Sequence, residues 1–591
     1  MAVGPSGPND VYLRQLHSFL LDSRRRGDDD GDDGAIVPLG GGGDACTGRL
    51  ARMVGSLQSE YRPYFLFGSG SNERNQLLLR SPGTTMDGYT ERNGDDDDNY
   101  DDDDGVDDSV SNEEGVHELT EMLLVVPRRH RGVDDNDKGD AAFEANGGDS
   151  SSSSSSNARK NASRDDDPRS LHAGGGHSAL LTHGGDLYLW GWNDAGQLGR
   201  PRMDTNMASI RKSTGGEGST ANAPSSLCPL SSIVVSSLSD IMVEAAALGH
   251  AHTLVIEKGT GRIFGFGDDG RGQASGRATA ADPFSCHAPR TTPSLRLSSE
   301  EGGFVRVAAG LFHSAAITRL TGELITWGCG RFGQCLRPMA ALAGEEGEGR
   351  GGVRTSHKNE AVAVGASTVG RWRPPDGSKL VQVACGRRHT VVLDEYGRVW
   401  TLGDNKHGQL GRSSSMAKRG NLSNAEPQLV DGPLGRVNSG CFAICSGWSH
   451  ILALTRDGIG HRAVTLHGWG RNDKGQLGIR SVQDHVLAPR ALEPMLDSER
   501  AHIGDGDTIS IQAACCGAES SHILDANGTV YSTGWNEHGN LAVGHVGNDV
   551  GGEYSVTWMA ASGAGVVAPP PTEATGKLIA AGGAHLIAMA V

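Results

Sequence analysis

Two short motifs alternate from one end of this chain to the other. That recurrence restricts the fold more than any single residue does. The first motif is Gly-x-x-His, followed by Ser or Thr and an apolar run. It stands at Gly174–Ser178, Gly249–Thr253, Gly310–Ser314, Gly386–Thr390, Gly447–His450 and Gly582–His585. A degenerate copy, Gly517–Ser520, carries Ser520 in the histidine place. The second motif is a Gly-Gln-Leu-Gly tail after a strand ending in Trp-Gly or Phe-Gly. Its copies are Gly196–Gly199, Gly272–Ser275, Gly333–Leu336, Gly408–Gly411, Gly475–Gly478 and Gly539–Ala542, with a worn copy at Asn75–Leu78. There are seven of each; the C-terminal unit has only the first half and the N-terminal unit only the second.

Each position has a physical reading. Glycine permits positive φ and close backbone approach, which tight connections between strands need. Val391-Val392-Leu393, Val399-Trp400 and Leu380–Ala384 suit short buried strands. Pro427–Val430 and Pro489–Leu492 read as a fourth strand that begins at proline, where no ladder donor is lost. Four strands in a repeat of about 60–75 residues point to propeller blades with inserted loops.

These motifs resemble the regulator of chromosome condensation repeat family from roughly Tyr64 to Val591. The resemblance implies an all-β, seven-bladed β-propeller of four-stranded blades. The split unit implies ring closure: Leu578–Val591 should pair with Tyr64–Gly68 in one blade, removing an open sheet edge.

Residues 1–62 read as a linker-like tail and 63–591 as the propeller, interrupted by an acidic insert (81–116) and a Ser/Asp-rich insert (128–168). Within the tail, Val11–Leu21 reads as a short, marginal helix. The acidic insert carries a net charge of −13, and its composition cannot form a core. Leu119–Val126 reads as a strand returning to the fold. Of the chain's net charge of −18, residues 1–170 hold −17. A near-neutral propeller is a poor polyanion binder, so no direct nucleic-acid contact is expected. Further long segments follow the tails at Pro201–Ser239, Arg277–Gly303, Arg337–Ser378, Ser413–Val437 and His545–Gly576. They fall at one equivalent point of each repeat and are expected on one face.

The ten cysteines are scattered without a Cys-x-x-Cys pair, which speaks against zinc and for buried thiols in a reducing compartment. No apolar run nears ~20 residues, and no secretory leader is read. The expectation is a monomeric cytoplasmic or nuclear protein without cofactor or metal.

The repeated histidines (His177, His252, His313, His389, His450, His585) occupy one place per blade. Spread around a ring, they cannot converge on one substrate, and a buried structural imidazole is expected at each. Function should lie where the symmetry breaks. The two x positions of Gly-x-x-His vary, and Phe312, Arg387, Arg388 and Trp448 fall on consecutive blades as a candidate partner-binding set. The alternative is that each covers its own blade. A second variable set precedes the tails: Trp192, Asp268, Arg271, Arg331, Phe332, Lys406, His407, Arg471, Lys474, Glu537 and His538. Most of these read as solvated loop residues.

The resemblance implies a non-catalytic interaction scaffold. In layout the chain is most similar to the alpha-tubulin-suppressor type, by its start at Phe67–Asn72, its end at the last strand and its Gly534–Asn540 stretch. That type implies a small metal-binding partner and a regulatory role in tRNA wobble-uridine modification and diphthamide synthesis. The alternative is a guanine nucleotide exchange factor for a small GTPase, which needs no catalytic motif of its own. A third class, the UV-B photoreceptors, carries Trp-Arg in the x positions of several successive blades. Here only Trp448 fits, and Ser449 follows it.

Overall fold

A computed structural model describes residues 61–71, 116–127, 165, 167–199, 241–276, 286–291, 301–336, 369–413, 425–456, 464–479, 484–493, 509–543, 554–560 and 577–590. It is the expected all-β propeller, with seven antiparallel sheets around a central channel. Blade 1 joins Tyr61–Gly70 and Val116–Pro127 to Lys577–Ala581 and His585–Ala590. Blade 2 is Pro168–Ala173, His177–Thr182 and Leu187–Gly191. Blades 3 to 7 open with inner strands Val243–Leu248, Phe304–Ala309, Leu380–Cys385, Cys441–Ser446 and Ile511–Cys516, and each has four strands.

Ring closure runs through both termini. Phe67 pairs with Ala588 and Gly70 with His585, while Leu578 pairs with Met589. Tyr61–Gly70 also pairs with Val116–Pro127, so the strand expected at Leu119–Val126 is the outer strand of this blade. The acidic insert was bounded at 116 and the Ser/Asp-rich one at 168, yet Val116 and Pro168 each begin a strand. The expected helix at Val11–Leu21 lies outside the described residues.

Every inner strand runs toward its Gly-x-x-His turn, and the third strand ends beside that turn: His313 pairs with Gly328 and Ile317 with Leu324. The Gly-x-x-His turns and the Gly-Gln-Leu-Gly tails therefore share one face, and the turns between second and third strands share the other. Outer strands start at the first face, with Cys286 opposite Gly267, and finish at the second, with Thr291 opposite Phe264. This corrects the expectation that the long segments crown one face. Four of them contain the outer strands Cys286–Thr291, Gly370–Trp372, Gln428–Leu429 and Tyr554–Ala560, so they join the blades at both ends. A second correction concerns Pro489. Its strand begins at His485, and the proline sits inside it, where the register shifts between Gly468 and Gly470. An edge-strand bulge tolerates the missing donor just as a first position would.

The core lies between blades. Leu189, Leu198, Val255 and Phe266 fill the contact of blades 2 and 3, and Ile317, Leu380, Val392 and Trp400 fill that of blades 4 and 5. Apolar alternation on both faces of each sheet makes these stacked layers. The tail ties the layers together by hydrogen bonds. The carbonyl of Gln273 in blade 3 accepts from Trp327 Nε1 of blade 4 at 2.9 Å, and that of Gln409 in blade 5 accepts from Trp469 Nε1 of blade 6 at 3.1 Å. The tail glycines do require positive φ, as at Gly408 (77°) and Gly411 (64°). The motif's first glycine requires close approach instead: a Cβ on Gly386 would overlap the imidazole of His389.

Candidate interaction face

Two concentric rings of polar contacts build the Gly-x-x-His face. The inner ring is backbone. The amide of the first x residue donates to the next blade: His250 N to Gly310 O at 3.2 Å, Arg387 N to Trp448 O at 3.0 Å, Trp448 N to Ala518 O at 2.8 Å, Ala518 N to Gly582 O at 2.9 Å, and Gly583 N to Gly174 O at 2.9 Å. First x residues therefore rim the narrow channel mouth, among them His250, Leu311 and Trp448.

The outer ring uses the histidines, which are buried and structural as expected. His177 Nε2 lies 2.9 Å from Thr253 Oγ1, His252 Nε2 3.0 Å from Ser314 Oγ, and His313 Nε2 3.0 Å from Thr390 Oγ1, each in the next blade. Those hydroxyls donate to the carbonyls of Gln197, Gln273 and Gln334. Their one proton is committed, so each imidazole donates from Nε2 and is the neutral Nε2–H tautomer. Burial pushes His252 down to about 3 and His313 to about 4. His585 closes the ring on Ser178 at 2.9 Å.

Three boundaries deviate. In blade 6 Ile451 replaces the hydroxyl, and His389 bonds Ser446 of the inner strand at 2.9 Å. His450 finds no hydroxyl in blade 7, although Ser521 donates to the Gln476 carbonyl as its counterparts do to theirs. Ser520, in the histidine place, bonds His522 Nε2 at 2.9 Å, and His522 Nδ1 bonds Ser532 at 2.9 Å. Sequence reasoning missed His522. Its place two residues beyond Ser520 was the available signal.

The candidate residues sit at the boundaries of successive blades. Phe312 of blade 4 lies under the Arg271 guanidinium of blade 3, 4.9 Å from ring centre. Arg388 of blade 5 covers Phe332 of blade 4 at 4.2 Å, and Arg387 covers Trp448 of blade 6 at 5.1 Å. Lys474 of blade 6 lies over Trp535 of blade 7 at 4.9 Å, and Arg471 bonds Glu519 of blade 7 at 2.8 Å. The Trp192 ring of blade 2 meets His250 of blade 3 edge-on. Phe312, Arg387, Arg388 and Trp448 are all half-buried. They are thus brought together as an arc, not as one cluster.

The second variable set was read as mostly solvated, and this is corrected for most of it. Arg271, Phe332, Arg471, Lys474 and Trp192 supply the other half of each stacked or paired contact. His407 packs edge-on against His485 and is pushed down to about 4, chiefly by burial and then by Arg471. The missed signal was spacing: a tail residue of one blade reaches the x residue of its neighbour. Burial, then the charge of Arg387, lowers His250, so the arc's cations act on the channel mouth. No group of three or more metal-ligating side chains exists among the described residues.

Among known families, the RCC1-like domain model matches residues 136–589. A secretion-regulating guanine nucleotide exchange factor of Mus musculus is 27% identical over 430 residues, covering 71% of this chain and 75% of that protein. The ultraviolet-B receptor UVR8 of Arabidopsis thaliana is 26% identical over 377 residues, covering 64% and 67%. Human WBSCR16 superposes with a TM-score of 0.52 at 15% identity over 90% of this chain and 99% of its own, a likeness of fold alone. With the family model spanning more than half the sequence and seven blades carrying its motifs, the chain belongs to the RCC1-like domain family.

Proposed function

We propose that this chain is a protein-binding regulator that acts by engaging a partner on its Gly-x-x-His face, with guanine nucleotide exchange on a small GTPase as its reaction class. The observation that supports it is the arc of cation–aromatic pairs. Five consecutive blades supply Arg, Lys, Trp and Phe side chains paired with their neighbours, all half-buried except the exposed Arg271. Such residues dominate binding energy at protein interfaces. Exchange asks only for tight binding to the nucleotide-free GTPase, and the named exchange-factor relative agrees with it. The sector over blades 4 to 6 carries Arg331, Arg387, Arg388, Lys406 and Lys474 against Asp404 and Asp473, which suits an acidic partner surface. Localisation in cytoplasm or nucleus is part of the same proposal.

The test is release of a fluorescent guanine nucleotide from a panel of small GTPases. Wild type should accelerate release from one of them, and Arg387→Ala with Trp448→Ala should abolish the effect while keeping the melting temperature within a few degrees. Truncating one such residue typically costs ~2 kcal/mol or more in binding. No acceleration across the panel would remove exchange. Capture of a small metal-carrying protein by the same face would instead favour the tRNA wobble-uridine and diphthamide reading, which rests on layout alone. The photoreceptor reading has one indole at the first x position, Trp448.

A further inference from the structure

The opposite face carries a second surface. Among the described residues the large exposed apolar side chains are Leu320, Val381, Tyr396, Val437 and Phe442, 36% to 53% exposed. All five lie at the same end of blades 4, 5 and 6. Leu320 and Tyr396 are in the turns between second and third strands, and Val381 and Phe442 begin inner strands. A continuous chain of backbone bonds connects them. Leu380 N donates to Gly322 O at 3.0 Å, Glu395 N to Lys379 O at 2.9 Å, Asn438 N to Tyr396 O at 2.9 Å, and Arg456 N to Gly440 O at 3.0 Å. Scattered apolar exposure needs no explanation, but among the described residues these five gather as a track at one end of three neighbouring blades, with Val381 and Phe442 at the channel wall and Leu320 and Tyr396 on the turns outside it.

The track is rigid and cationic. Asp394 accepts from Tyr396 N and Arg398 N, and Arg398 is in turn paired with Asp394 and Asp376, so the tyrosine stands on a locked turn. Arg306, Arg373, Lys379, Arg436 and Arg456 are exposed around the track and make no ion pair with a described residue, against the exposed carboxylate of Glu395, which accepts from Lys379 N at 2.8 Å. Other local arginines are neutralised: Arg319 by Glu244, and Arg371 by Glu301 and Glu323. Arg456 lies 4.0 Å over the Phe442 ring, its charge presented beside an apolar surface.

We infer that this face docks an acidic amphipathic segment of a partner protein, with apolar side chains on the Leu320–Phe442 track and flanking carboxylates on the five cations. The surface is distinct from the Gly-x-x-His face and does not rest on the exchange reading. The chain is then a two-faced adaptor.

The probe is a labelled synthetic helix of about 18 residues, leucine on one face and glutamate on the other, with a lysine-for-glutamate counterpart and a scrambled control. Anisotropy should show saturable binding of the glutamate peptide only, weakening with salt. Tyr396→Ser with Phe442→Ser should weaken it about tenfold or more, and so should Arg436→Glu with Arg456→Glu. These sites are exposed, so the melting temperature should hold. Arg387→Ala with Trp448→Ala should leave it unchanged. Equal binding of the lysine or scrambled peptide overturns the inference, as does indifference to both track variants. Self-association abolished by the same variants assigns the face to a second copy and overturns it. A tenfold or greater gain on deleting residues 81–115 assigns it to the chain's own acidic segment and does the same.

Discussion

Acid should unfold this propeller unusually early. Seven imidazoles are almost completely buried: His177, His252, His313, His389, His450, His522 and His585. Burial is the first cause that holds each well below its ordinary value of 6.5, with His252, His389 and His522 pushed to about 3 and His313, His450 and His585 to about 4. A group whose folded pKa is depressed stabilises the fold fully above its unfolded pKa, near 6.5. That contribution is lost as pH falls toward the folded value, because only the unfolded chain takes the proton. Each proton is worth a little over 1 kcal/mol per pH unit, so seven together approach ~10 kcal/mol per unit below about pH 5.5. Domain stabilities are roughly 5–15 kcal/mol, so the midpoint should lie between about pH 6 and 5. The assay is melting temperature and near-UV circular dichroism from neutral pH to about 4, with proton uptake on unfolding measured calorimetrically. His450→Gln removes one titrating ring that bonds no hydroxyl, and should move the midpoint to lower pH. A propeller that keeps its tertiary signal at pH 4 would refute the neutral-ring argument.

Deleting Leu578–Val591 should abolish cooperative folding. It removes buried Leu586, Ile587 and Met589, each worth ~2–5 kcal/mol, and exposes the edge of Tyr61–Gly70. A truncated chain with an unchanged melting curve would sink ring closure. The Cys516 thiol lies 3.4 Å from Cys445 across the boundary of blades 6 and 7. Diamide should join the pair, closing a loop of 71 residues and stabilising the fold by ~4 kcal/mol. The expected readout is a higher melting temperature that Cys445→Ser removes.

Much of this architecture was legible in one dimension because a propeller repeats its physics. Gly-x-x-His and Gly-Gln-Leu-Gly recur wherever the same turn and tail are rebuilt, and the unpaired halves at the ends foretold that Phe67 and Ala588 would share a blade. The histidines could be set aside as structural on the same ground, since symmetry spreads them around the ring. What the sequence could not show were contacts between repeats. Arg388 with Phe332, Arg471 with Glu519 and Cys516 with Cys445 join residues of different blades, and no local pattern marks them. Nor could spacing tell which face a loop reaches. Only the pairing of second with third strands put the tails beside the Gly-x-x-His turns and the exposed Leu320, Tyr396 and Phe442 together on the far side, and only the outer strands showed the long segments joining both faces. Backbone geometry is local and repeats with the sequence. The faces of the ring exist only once seven blades have closed it.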